Sequence, residues 1–198
     1  MPADTYFGIT SEYTAEYKQS GSKFYGFLFP VQSVNDFESK IKALKTQFAD
    51  ATHVCSACVL EMDKSYQRFS DDGEPNNSAG RPILHALLSS EITYIGCAVV
   101  RYYGGKKLGI PGLIEAYGGT AQLCISNAQI KTLVLEDITK CSIDDSKSYL
   151  LYNYVARNKD VEHKVVDGIF HLRCSKSVTS RLRNDLKKIN TLVVIDEN

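Results

Sequence analysis

The 198-residue sequence lacks net charge, long hydrophobic runs and a secretory leader, and each absence excludes a class of protein. Lys and Arg number 23 and Asp and Glu number 23, so a uniformly basic nucleic-acid-binding protein is disfavoured. No apolar run approaches the length of about 18 residues that a membrane span needs. The N-terminal sequence MPADTYF has neither the basic nor the apolar region of a signal peptide. We therefore predict a cytoplasmic protein with no membrane partner.

Common catalytic and cofactor motifs are also missing. The sequence contains no Gly-x-Ser-x-Gly and no His-Glu-x-x-His. Gly104 and Gly109 have the spacing of P-loop glycines, but Ile110 and Pro111 stand where a P-loop requires Lys and Ser or Thr. We therefore expect no nucleoside triphosphatase and no bound cofactor.

The Cys-x-x-Cys pair, Cys55 and Cys58, has no partner pair at zinc-site spacing. The surrounding VCSACVL sequence is typical of a strand, on which residues three apart point to opposite faces. We therefore predict buried free thiols and no metal site.

Hydrophobic patterning predicts an α+β protein of two domains, residues 1–132 and 133–198. In the first, Phe37, Ile41, Leu44 and Phe48 form one helical stripe that begins near Asn35 with Glu38. The other expected elements are two early strands, a strand at 53–61, a long polar loop at 63–79, a helix near Pro82, a strand at 92–103 and a helix from the following glycine loop to about Asn127.

The second domain repeats a strand–helix–strand pattern. We predict a strand at 131–143, a helix at 147–157, strands at 161–166 and 169–174, a helix at 176–189 and a strand at 191–195. Asp167-Gly168 has the composition of a tight hairpin turn. The order β-α-β-β-α-β indicates a ferredoxin-like fold.

The acidic turn Asp71–Glu74 lies in the long polar loop and allows three interpretations. Its oxygen ligands suit a hard cation, although the ligand order of an EF-hand is absent. Asp71, Asp72 and Glu74 with His53 could instead carry out general acid–base catalysis, which requires hydrogen-bond reach between them. The third interpretation is structural, because such carboxylates accept hydrogen bonds from loop amides.

Two basic segments are candidates for phosphate contact. The first is Arg101–Gly112, in which Arg101, Lys106 and Lys107 accompany Tyr102 and Tyr103. Strand alternation places the two tyrosines on opposite faces, so we expect at most one of them at a ligand. The second segment is the predicted helix 176–189, whose outer arc contains Lys176, Arg181, Arg183, Lys187 and Lys188.

Two long motifs resemble the signatures of the YigZ/Impact family. They are DDGEP at 71–75 with AGRP at 79–82, and VVRYYGG-x-KLG at 99–109 with AYGG at 116–119. A weaker block is ATH at 51–53, and the resemblance extends over roughly residues 8–195. It suggests a signature cleft formed by Asp71, Asp72, Gly73, Glu74, Pro75, Gly80, Arg81, Arg101, Tyr102, Tyr103, Gly104, Gly105, Lys107 and Gly109.

The resemblance also carries expectations of fold and function. It implies an N-terminal Impact domain similar to domain IV of elongation factor G and a C-terminal ferredoxin-like domain similar to domain V. Eukaryotic Impact proteins regulate translation by competing for the activator of a kinase of an initiation-factor α-subunit. The implied partners are RNA, the ribosome or a translation factor.

The sequence departs from the family pattern near both motifs. Asn76-Asn77-Ser78 replaces Ser-Gly-Thr, Gly109–Gly112 (GIPG) replaces Gly-Thr-Gly-Gly, and Glu115 replaces a basic residue. The last two changes reduce flexibility and positive charge. We therefore predict a non-enzymatic, nucleic-acid- or ribosome-associated protein linked to translation regulation, with a hydrolase using the acidic loop and His53, or a protein-interaction module, as alternatives.

Overall fold

The computed structural model describes residues 4–189 and 192–195, which form two compact units. The larger unit is Tyr6–Leu133, and the smaller unit runs from Val134 onward and includes Asp4 and Thr5. The strands up to residue 134 are β1 (Thr5–Gly8), β2 (Tyr13–Gln19), β3 (Ser22–Pro30), β4 (His53–Leu60), β5 (Tyr66–Ser70), β6 (Ile95–Tyr102) and β7 (Lys131–Val134). The helices are α1 (Val34–Gln47), α2 (Gly80–Ser89) and α3 (Gly109–Asn127).

The larger unit is built on a five-stranded antiparallel sheet in the order β2-β3-β6-β4-β5, while β1 pairs with β7. Helices α2 and α3 cover one face, and their buried residues join those of β3, β4 and β6 in the main core. Helix α1 packs on the other face through Phe37, which stacks on Phe29. It leaves Tyr25, Phe27 and Tyr102 of that face only half-buried.

The smaller unit contains β8 (Glu136–Ser142), α4 (Tyr149–Arg157), β9 (Val161–Val166), β10 (Ile169–Ser175), α5 (Lys176–Leu186) and β11 (Val193–Ile195). Its antiparallel sheet has the order β11-β8-β10-β9, which is the ferredoxin-like arrangement predicted from the sequence. Asp167 and Gly168 both have positive φ, as the β9–β10 hairpin turn requires. The α+β fold class is thereby confirmed.

Several local predictions were wrong. The polar loop predicted at 63–79 contains strand β5, an edge strand whose side chains are mostly exposed and therefore lack a hydrophobic pattern. Helix α1 is capped by Ser33, whose hydroxyl accepts from the Asp36 amide. The strand predicted at 131–143 is two strands in different sheets, and α5 ends at Leu186. Residue 191, the predicted start of the last strand, lies outside the described residues.

Candidate functional site

The first two carboxylates of the acidic turn support the local backbone. Asp71 Oδ1 accepts from the amides of Ala79 and Gly80 at 3.0 and 2.8 Å, and its Oδ2 accepts from the Asn77 amide at 2.8 Å. Asp71 therefore satisfies amides that the start of α2 leaves without helical partners. Asp72 Oδ2 accepts from the Val54 amide at 2.7 Å, while its Oδ1 pairs with Lys45.

Glu74 is the third carboxylate and is buried. Its Oε1 accepts from Arg101 Nη1 at 2.5 Å and from the Tyr117 hydroxyl at 2.7 Å. The side chains of Glu74 and Arg101 are only 4% and 7% exposed. Burial is the main cause that raises the pKa of the Tyr117 hydroxyl far above its usual value, so Tyr117 stays protonated and donates. Strand β6, through Arg101, and helix α3, through Tyr117, thus fix the orientation of this carboxylate.

Arg101 is held between two aromatic rings. Its guanidinium carbon lies 5.6 Å from the Phe24 ring centroid and 5.5 Å from that of Tyr103. Its Nη2 lies 3.4 Å from Ser22 Oγ. The sequence predicted Arg101 as a phosphate-contacting cation. Its side chain is instead buried, and its charge is neutralised by Glu74. We therefore omit Arg101 from the nucleic-acid surface proposed below.

The chain after β6 packs directly against the β2–β3 turn. The Gly104 amide donates to Ser22 Oγ at 3.1 Å. A Cβ at Gly104 would lie 1.9 Å from the backbone carbon of Gly21, so no larger residue fits without moving the backbone. This contact fixes the start of the loop between β6 and α3, residues 103–108, which we call the basic loop because it contains Lys106 and Lys107.

His53, the first residue of β4, lies beside the acidic turn. Its Nδ1 is 2.8 Å from the Asp72 carbonyl oxygen, which can only accept, so Nδ1 carries the proton. Its Nε2 is 3.9 Å from Glu74 Oε2. Of the predicted catalytic set, the structure therefore brings together the side chains of His53 and Glu74, while the Asp71 carboxylate is occupied by backbone amides and the Asp72 carboxylate by the Val54 amide and Lys45.

Both motif loops and His53 meet at one cleft of about 510 Å³, which we call the signature cleft. It is lined by Thr52, His53, Glu74, Pro75, Arg101, Tyr103, Lys107, Leu108, Gly109, Ile110 and Leu113. Of the other residues assigned to it from the sequence, Asp71, Asp72 and Gly73 lie in the acidic turn, Gly80 is the first residue of α2, and Gly104 and Gly105 belong to the loop after β6. Arg81 instead lines a separate groove between α2 and α3, and Tyr102 lies on the α1 face of the sheet.

Sequence reasoning missed part of this site. It included Tyr117 only within the AYGG motif, and it did not single out Thr52 or Leu113. The motif block at 116–119 includes Tyr117, which was a usable signal. Nothing in the sequence indicated that its hydroxyl reaches a carboxylate 43 residues away.

A second concave surface lies on the α1 face of the sheet, and we call it the aromatic groove. It has a volume of about 450 Å³ and is lined by Gly21, Lys23, Tyr25, Phe27, Phe48, Tyr102 and Tyr103. The rings of Tyr25 and Tyr102 meet edge to face at 6.0 Å. Tyr102 packs against Tyr25 on the α1 face, whereas the Tyr103 ring lies against the Arg101 guanidinium and lines both the aromatic groove and the signature cleft.

The predicted surface cations differ in their surroundings. Lys106 and Lys107 are exposed on the loop after Gly104, and Lys107 borders the signature cleft. In the smaller unit, Arg181 pairs with Asp160 at 2.7 Å and Lys188 with Asp185 at 2.8 Å. The other predicted cations of that unit are also exposed, namely Lys176, Arg183 and Lys187.

The six cysteines are free and buried, as predicted. Cys55 Sγ donates to the Asp71 carbonyl at 3.0 Å. Burial raises the pKa of the Cys55 thiol strongly and that of Cys58 to about 11, so neither is a ready nucleophile. In the described part of the chain, no helix combines the length and apolarity that crossing a membrane requires.

Fold and site together define a two-unit α+β protein with a ligand-sized cleft. A family model described as the Impact N-terminal domain matches residues 20–125. The chain belongs to this family, which confirms the membership predicted from its motifs.

Comparisons with individual proteins agree with this membership. The IMPACT family member YigZ of Escherichia coli (strain K12) is 36% identical over 124 residues, which cover 61% of this chain and 61% of that protein. The chain thus matches less than two thirds of this relative's length. A crystal structure of a hypothetical protein superposes with a TM-score of 0.71 at 22% identity, covering 98% of this chain and 99% of the other, and it supports the fold alone. The two-domain translational regulator Yih1 aligns at 28% identity over 61% of this chain and 46% of its own, but its TM-score of 0.38 carries no structural argument.

Proposed function

We propose that this protein is a non-enzymatic, translation-associated binding module whose larger unit binds single-stranded RNA. The observation that carries the proposal is the aromatic groove beside exposed lysines. Tyr25, Tyr102 and Tyr103 line this groove together with Lys23. Unpaired bases stack on aromatic side chains, while positively charged side chains contact the phosphates of the same strand. The link to translation rests on the regulatory role of eukaryotic Impact proteins.

The groove is continuous with the basic loop. Tyr103 lines both the aromatic groove and the signature cleft, and it is 46% exposed. Lys106 and Lys107 follow it closely in the chain and are exposed. The aromatic surface therefore has three lysines near it, namely Lys23, Lys106 and Lys107. This local arrangement supports RNA contact although the net charge of the whole chain is zero.

A salt titration with labelled single-stranded RNA tests the electrostatic part. Three phosphate contacts predict that log K falls with log salt concentration at a slope of about −2, from about −0.7 per contact. Lys107→Ala should reduce the slope by about 0.7. Lys42→Ala is the matched control, because Lys42 is exposed but lines a different cavity beside α1. A flat salt response, or no binding at low salt, would refute RNA binding.

Substitution of the shared tyrosine tests the stacking part. Tyr103→Ala should weaken RNA binding by about 5- to 150-fold, which corresponds to about 1–3 kcal/mol for one stacked base. Tyr149→Ala is the control, since Tyr149 is 57% exposed but belongs to the smaller unit. Equal affinities of the two variants would contradict a stacking role for Tyr103.

Hydrolysis is the second candidate function, and one observation favours it. His53 Nε2 lies 3.9 Å from Glu74 Oε2 at the cleft, where the neutral imidazole could accept a proton from an attacking water molecule. Incubation of end-labelled RNA with the protein distinguishes the two functions. Intact RNA supports the binding module, whereas cleavage that is lost in His53→Asn supports a hydrolase.

A further inference from the structure

The signature cleft contains two hydrogen-bond acceptors that face each other without a donor between them. Glu74 Oε1 receives both Arg101 and Tyr117, and within the described residues Oε2 receives no hydrogen bond. His53 Nδ1 donates to the Asp72 carbonyl, so Nε2 is the acceptor atom of the ring in its neutral form. Nε2 and Oε2 are 3.9 Å apart, too far for a hydrogen bond between them.

Two such acceptors in a nearly buried position call for donors from a ligand. The Glu74 side chain is only 4% exposed, and among the described residues no donor reaches its Oε2, so a molecule in the cleft can supply one. Because Arg101 and Tyr117 hold the Glu74 carboxylate in one orientation, the carboxylate would not need to move when a ligand binds. The cleft is therefore built to accept a group with two adjacent N–H or O–H donors.

The charges at the cleft argue against a cationic ligand. Its lining holds one carboxylate, Glu74, and two permanent cations, Arg101 and Lys107. An ammonium or guanidinium ligand would meet this excess of positive charge. A neutral donor group attached to an anion fits better, because Lys107 is exposed at the edge and can pair with a phosphate.

The remaining walls suit a flat ring. Tyr103 is backed by the Arg101 guanidinium at 5.5 Å and offers a partly exposed ring. Leu108, Ile110 and Leu113 supply apolar contacts. The volume of about 510 Å³ lies within the usual range for small-ligand sites.

We propose that the signature cleft binds a single unpaired guanine base. Guanine presents two neighbouring donors, N1–H and the N2 amino group, on its Watson–Crick edge. Adenine and cytosine each place an acceptor beside the amino group, and uracil has one N–H between two acceptors. Glu74 Oε2 and His53 Nε2 would receive the two guanine donors, Tyr103 would stack on the base, and Lys107 would contact the adjoining phosphate. This inference rests on the proposed RNA-binding function and adds base selectivity to it.

The decisive experiment uses the unaltered full chain and oligo-uridine carrying one central guanine, inosine, adenine or cytosine. Inosine lacks the N2 amino group and keeps N1–H. We expect guanine to bind about 10-fold more tightly than inosine, within the range for a two-point base contact, and adenine and cytosine to bind no better than uridine. Equal affinity for these four oligonucleotides and for unsubstituted oligo-uridine would overturn the inference while leaving RNA binding intact.

Binding of guanosine monophosphate alone separates the two proposals. If the nucleotide binds with the same preference over inosine monophosphate but the oligonucleotides do not bind, the RNA-binding function fails and the guanine site stands. If neither the nucleotide nor guanine-containing RNA shows a preference, the guanine site fails.

Two variants assign the contact to the cleft. His53→Asn removes Nε2 but retains an amide donor near the position of Nδ1, and it should abolish the guanine preference. His85→Asn is the matched control, because His85 is exposed on α2 and lines a different groove. A guanine preference that survives in a folded His53→Asn protein would overturn the proposal. If this variant does not fold, the base series on the unaltered chain still decides the question.

Discussion

The ion pair beneath the signature cleft allows a quantitative prediction from Glu74→Gln. The substitution removes the negative charge and retains the side-chain shape. Arg101 would then be a buried cation whose nearest other acceptor, Ser22 Oγ, is 3.4 Å away. Removing one partner of a buried ion pair costs about 3–5 kcal/mol. Because a folded unit is stable by only about 5–15 kcal/mol, the loss should be easy to measure.

Hydrogen exchange is the suitable assay, because two compact units can unfold separately and one bulk transition would mix them. The amides of β4 and β6 report on the larger unit. Where exchange proceeds through opening of that unit, Glu74→Gln should speed it by about 150- to 5,000-fold, the factor that corresponds to 3–5 kcal/mol. The amides of β8 and β10, in the smaller unit, serve as the internal reference.

A double-mutant cycle separates the charge effect from general damage. Arg101→Met alone should be similarly costly, while the double variant leaves no buried charge and should cost less than the sum of the two. The control pair is Glu38→Gln with Arg68→Met, whose side chains are about half exposed and should contribute less than about 1 kcal/mol. Additive losses at Glu74 and Arg101, or a cost of Glu74→Gln below about 1 kcal/mol, would refute the reasoning.

Three further predictions follow from individual contacts. Gly104→Ala should destabilise the larger unit by about 3 kcal/mol because the new Cβ collides with Gly21, whereas Gly119→Ala should stabilise it by about 0.5–1 kcal/mol because a Cβ there meets nothing within 4 Å. Hydrogen exchange of the β4 and β6 amides compares the two variants, and equal changes would contradict the packing argument. Asp71→Ala should lower stability by about 2 kcal/mol by uncapping α2, with exchange of the α2 amides as the measure and unchanged exchange as the contrary result. The Cys58 thiol, with its pKa raised to about 11, should be almost entirely protonated at pH 8 and react with a thiol reagent only after unfolding; fast stoichiometric labelling of the folded protein would show the opposite.

The fold could be predicted to a large extent because its signals are local. The strand–helix order of the smaller unit follows from hydrophobic periodicity, and Asp167-Gly168 adopts the positive φ angles that its turn composition predicts. Strand β5 escaped prediction because an edge strand with exposed side chains is held by backbone hydrogen bonds to β4. Those bonds form between backbone groups that every non-proline residue has, so side-chain patterning does not reveal them.

The candidate site also has features that local sequence indicates and features that only the tertiary structure shows. The sequence by itself indicated which motifs meet at the signature cleft, because DDGEP, RYYGG and the histidine at 53 are contiguous or short segments. Only the tertiary structure decided their roles. Asp71 accepts from amides up to nine residues away and stays structural, whereas Glu74 meets Arg101 and Tyr117 across 27 and 43 residues. Three neighbouring carboxylates look alike in sequence, but the packing of β4, β6 and α3 leaves one of them at the cleft.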